Sequence, residues 1–64
     1  MKYRGKVEAR TGILLGGSRV ATSIWFDTAA DAKAWAEQAM QANQKAGRDV
    51  IGPFVDARDP EGEA

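Results

Sequence analysis

The chain has 64 residues, nine basic and nine acidic, so its formal net charge is zero, and it contains neither cysteine nor histidine. That excludes disulfides and the usual zinc ligands, the two staples on which very small domains often depend. A chain this short buries only about 60% of its unfolded surface, so one compact core is expected, over residues 1–57, and no second domain.

The first ten residues, MKYRGKVEAR, lack the apolar stretch of a secretory signal, and no segment reaches the 18 or more apolar residues of a membrane span. A cytoplasmic protein with no membrane partner is the expectation. Charge is uneven along the chain. Residues 1–20 carry five basic side chains (Lys2, Arg4, Lys6, Arg10, Arg19) against Glu8, whereas residues 49–64 carry five acidic ones against Arg58.

From Lys2 to Arg10, polar residues alternate with Tyr3, Gly5, Val7 and Ala9, the period of two of a half-buried strand. A second alternation follows Gly16-Gly17, with Val20, Thr22, Ile24 and Phe26 set against Arg19, Ala21, Ser23 and Trp25. If the two glycines form a two-residue hairpin turn, Ile13 faces Val20, Thr11 faces Thr22, Ala9 faces Ile24 and Val7 faces Phe26. This register gathers the apolar residues of both strands on one side. It places Lys2, Arg4, Lys6, Glu8, Arg10, Leu14, Arg19, Ala21, Ser23 and Trp25 on the other.

Residues 28–46 carry helix signals: Thr28 as N-cap, Asp31 in a capping-box position, strong helix formers, and Gly47 as terminator. Ala32, Trp35, Ala36, Ala39, Met40, Asn43 and Ala46 form one stripe, whose alanines allow close approach to a sheet. Residues 49–57 include VIGPFVD, a third strand that Pro53 confines to an edge or a bulge. Residues 58–64, charged and without large apolar side chains, are expected to be a disordered acidic tail. The fold class is thus α+β, with ββαβ order: a twisted antiparallel hairpin, one helix on its apolar face, and a short third strand. A right-handed crossover makes the third strand parallel to the second, so it can pair with the first in the order 2-1-3.

An enzyme is not expected, because without histidine or cysteine the acid–base and nucleophilic groups reduce to carboxylates, lysines, Tyr3 and hydroxyls. Asp27 and Asp31 sit where capping and the helix dipole favour acids. GILLGGS lacks both the Gly-Lys-Ser/Thr ending of a phosphate loop and the strand-to-helix context. Neither a cofactor nor a small-molecule substrate is expected. The candidate site is Lys2, Arg4, Lys6, Arg10, Arg19 and Trp25. Cations and an aromatic on one ribbon suit phosphate contacts and major-groove entry, and an outward tryptophan marks an interface.

At the strand-to-helix corner, FDTAADAKAWAEQ resembles the F-x-T-x-x-x-A-x-x-W stretch of the AP2-like N-terminal arm-type DNA-binding domains of phage and transposon tyrosine recombinases, through Phe26, Thr28, Ala32 and Trp35. The resemblance implies a small sheet on one helix, with the open sheet face in a DNA groove. Those domains place three strands before the helix, whereas two precede it here. Two functions are therefore expected as alternatives. One is a small phage or mobile-element regulatory protein binding DNA or RNA through the basic hairpin face. The other is a protein-binding inhibitor or adaptor, such as a phage anti-CRISPR protein, docking on a host nucleic-acid-processing protein. Either a monomer or a homodimer is compatible with both.

Overall fold

A computed structural model describes residues 1–59; the rest of the expected tail lies outside the described residues. The elements are β1 (Lys2–Ala9), β2 (Val20–Thr22), α1 (Ala29–Lys45) and β3 (Val50–Arg58). The sheet order is β2-β1-β3, with both neighbours antiparallel to β1. This is the expected ββαβ arrangement and strand order. No helix among the described residues is long and apolar enough to cross a membrane.

The helix forms where local chemistry dictates. Thr28 Oγ1 accepts a hydrogen bond from the Asp31 N–H at 3.2 Å, satisfying one of the first-turn donors that lack an intrahelical partner. At the other end, Gly47 at φ 77° lets its own N–H reach Gln44 O (3.0 Å) and the Arg48 N–H reach Asn43 O (2.9 Å). That is the pattern of a Schellman cap. Ala32, Ala36 and Asn43 are buried along the expected stripe, while Trp35, Ala39 and Met40 are half-buried. Ala46, also assigned to the stripe, is the exposed C-cap.

The helix lies directly on β1. Gly5 is buried beneath it with no side chain intervening. Val7, Leu14, Ala36 and Val50 form the core, with Ala9, Ala21, Trp35, Ala39 and Met40 packed against it.

The register of β2 corrects the sequence expectation. Lys6 pairs with Thr22, Val7 with Ala21 and Glu8 with Val20, so the connection spans residues 10–19 and is not a two-residue turn at Gly16-Gly17. The shift is odd in number, and an odd slip exchanges the two faces. Val20 and Ile24, expected in the core, are exposed, Ile24 at 74%. Leu14, expected on the open face, is fully buried, and Ile13, expected inside, is exposed.

The cause lies in the loop, which folds back on the helix. Leu14 N–H bonds Ser18 O at 2.7 Å, Leu15 N–H bonds Asn43 Oδ1 at 2.7 Å, and Arg48 donates to Ile13 O at 3.0 Å. With its neighbours thus anchored, Leu14 fills core volume that β2 was expected to fill. Asn43, only 4% exposed, uses both ends of its amide, since Nδ2 donates to Ala39 O at 2.7 Å.

β3 runs one residue further than expected, so Arg58 belongs to the strand and not to the tail. Its pairing steps from Lys6↔Phe54 to Glu8↔Ile51. Gly52 and Pro53, joined by a cis peptide bond, therefore both oppose Val7. The proline thus sits in an edge strand and at a bulge, the two positions open to a residue without an N–H.

Candidate functional site: the helix-free face of the sheet

Directly opposed residues of an antiparallel pair share a face, and the observed register therefore defines the side away from α1. Lys2, Arg4, Lys6 and Glu8 of β1 lie there with Arg58, Asp56, Phe54 and Ile51 of β3, and with Thr22 and Val20 of β2.

Trp25 joins them through an irregularity beyond β2. The Ser23 N–H bonds Gly5 O, and Ser23 Oγ accepts from the Gly5 N–H, both at 2.9 Å. Phe26 then exchanges both backbone hydrogen bonds with Tyr3 at 2.6 and 2.8 Å. Between these two anchors, Ile24 and Trp25 together oppose the single residue Arg4. That is a bulge, which re-aims side chains. Trp25 is turned onto the open face, and Ile24 is left in solvent.

The half-buried Trp25 ring carries two guanidinium groups, with Arg4 Cζ at 4.6 Å and Arg58 Cζ at 5.0 Å from its centroid. Lys6 Nζ stands 5.6 Å from the Phe54 centroid. These are cation–π distances. Arg4 also pairs with Asp56 at 3.2 Å, and Lys2 pairs with Asp27. The Lys2 hydrogen bond, reinforced by its charge, holds the exposed Asp27 carboxyl below its ordinary value of 3.8.

Of the six residues proposed from the sequence, Lys2, Arg4, Lys6 and Trp25 are together on this face. Arg10 lies past the end of β1, exposed, 3.8 Å from Asp49. Arg19 is on the other side of the ribbon, because its carbonyl accepts the Ala9 N–H and it therefore opposes a helix-side residue. The inverted register accounts for that misplacement. Phe54, Asp56 and Arg58 were missed, although their alternation with Val55 and Ala57 carried the signal.

Among the described residues, no group of three His, Cys, Asp or Glu side chains could hold a metal ion. The face offers two aromatic rings, cations stacked upon them, and a scatter of carboxylates. Comparison with protein-family models, curated proteins and solved structures finds no match for the chain.

Proposed function

We propose that this is a non-catalytic protein-binding domain that docks through the helix-free face of its sheet, with Trp25 at the centre of the contact. The observation that carries this reading is the Arg4–Trp25–Arg58 stack, with Arg4 already paired to Asp56. Tryptophan and arginine are the side chains that most often dominate binding energy at protein interfaces. Stacking holds them in place before the partner arrives, which lowers the ordering cost of association.

The same pairs weaken the case for nucleic acid. Lys2, Arg4 and Arg10 each face an aspartate, and Arg19 lies on the other side. A phosphate backbone approaching this face would meet Asp56 and Glu8 among the cations, whereas affinity for nucleic acid comes from cations that replace condensed counterions. Four cations (Lys2, Arg4, Lys6, Arg58) against Glu8, Asp56 and Asp27, the partner of Lys2, leave a positive excess of one. A mildly acidic protein surface with an apolar centre complements it.

The test is a photocrosslinking amino acid at Thr22, on the open face, with a control at Gln38 on the exposed side of α1. Adducts with one defined protein at Thr22 alone, abolished by Trp25→Ala, are the expected result. In parallel, binding to duplex and single-stranded DNA should stay in the non-specific range, about 10⁻⁴ M at physiological salt. Tight DNA binding with a steep salt slope, eliminated by Trp25→Ala, overturns the reading in favour of a nucleic-acid interface.

A further inference from the structure

A second surface lies on the helix side of the sheet. Lys33, Glu37, Met40, Gln41 and Gln44 of α1, together with Pro53 of β3, line an open groove of about 360 Å³. β3 is an edge strand, and among the described residues no other strand pairs with its outer side. The groove therefore follows α1 and meets the sheet edge at Pro53, and a fourth strand entering it would pair with the β3 residues beyond that proline.

Its dimensions fit that occupant. Lys33 and Gln44 are separated by eleven helical steps, about 16 Å at 1.5 Å per residue, which is the length of about five residues of extended chain. Beyond Pro53, Val55 opposes Gly5 and so lies on the helix side, yet it remains 39% exposed. Phe54, on the open side, is 38% exposed. A strand beside β3 would cover both, one with each of its alternating sets of side chains.

We propose that this groove takes an extended peptide segment of a partner protein, added to the edge of β3 as a fourth strand beneath α1. Main-chain hydrogen bonds to β3 supply affinity in such strand addition, and alternate side chains supply specificity. The chemistry of the lining fixes the inward side chains. Lys33 and Glu37 neutralise one another at 3.8 Å, Gln41 and Gln44 carry no charge, and Met40 and Pro53 are apolar. Uncharged residues at every second position, aliphatic where they meet Met40 and Pro53, are the complement. Nucleic acid cannot satisfy a strand edge in this way, and a bulky folded surface would not enter beneath the helix.

The probe is a random heptapeptide library displayed and selected on the full chain, with the best peptide then synthesised. Enriched sequences should show uncharged residues at alternate positions, aliphatic ones among them. N-methylation of the backbone at one alternate set should weaken binding about tenfold, and at the intervening set hardly at all, because only one set donates to β3. Gln41→Trp, at an exposed helix position, should block the groove and weaken binding about tenfold, and peptide should slow amide exchange at residues 54–57. Trp25→Ala should leave the peptide affinity unchanged, which separates this site from the open face. The proposal is overturned if no alternating motif is enriched, if N-methylation acts equally at all positions, or if peptide protects the Trp25 face instead. It is overturned as well if the chain dimerises with β3 at the interface, since a second copy would then be the occupant.

Discussion

The backbone of Gly5 lies against the carbonyl oxygen of Ala32, so close that a Cβ at Gly5 would overlap it while approaching Trp35 Cε3 at 3.0 Å. The contact is between two backbones, and neither can swing aside. Gly5→Ala should therefore lift α1 off the sheet and cost about 1–3 kcal/mol, as overpacking does, with Gly5→Val costing more. Urea denaturation reads the loss directly, and an unchanged midpoint would show that the helix is not seated as described.

Asn43 ties the β1–β2 loop to the helix. Its Oδ1 is the acceptor for the Leu15 N–H, and its Nδ2 binds Ala39 O. Asn43→Leu keeps the approximate volume but deprives the Leu15 N–H of its partner, which should cost about 1–3 kcal/mol. Leu14→Ala, which empties a fully buried site, should cost about 2–5 kcal/mol. Because Leu14 is buried beside an anchored neighbour, the two effects should be less than additive in a double-mutant cycle. Full additivity would mean that the loop is not held through Asn43.

These anchors explain what the sequence could and could not disclose. The helix, its Thr28 cap, its Gly47 stop and its alanine stripe were legible because each signal is local. The place of Pro53 was legible because a missing N–H excludes central strands. The hairpin register was not, because it depends on Leu14 reaching the core. That in turn depends on Asn43 and Arg48, 28 and 35 residues from their partners Leu15 and Ile13. Alternation in residues 19–26 looked unbroken, yet Ser23 closes the ladder with its side chain and Ile24-Trp25 bulges. Trp25 reached the open face in the structure as in the sequence reading, but by a different route. The unbroken register put it there by parity, whereas the observed one does so through the bulge.

The Lys2–Asp27 pair makes stability depend on pH in a defined direction. Asp27 has its folded-state value lowered beneath 3.8 by Lys2, so the unfolded chain binds a proton there before the folded chain does. The contribution is fully present above about 3.8 and disappears as pH falls through the folded value. Asp27→Asn should lose that contribution at every pH above about 3.8, converge with the parent protein in acid, and so flatten that part of the acid limb of the stability profile. Because the pair is exposed, added salt should shrink the difference between the two proteins. Identical acid limbs in low salt would contradict the pairing.

The two tryptophans should behave as opposites, and that contrast separates binding surface from scaffold. Trp35 packs against the core from α1, so Trp35→Ala should remove about 3–5 kcal/mol, a large part of what so small a domain possesses. Trp25 rests on the sheet face beneath Arg4 and Arg58. Trp25→Ala therefore loses chiefly two cation–π contacts, together about 1–2 kcal/mol at exposed sites. Thermal unfolding of both variants, followed by far-ultraviolet circular dichroism, gives the ordering. If Trp25→Ala were as damaging as Trp35→Ala, the open face would be part of the structural core. If instead it stays folded and loses the Thr22 crosslink, the stack contributes to association out of proportion to its share of stability.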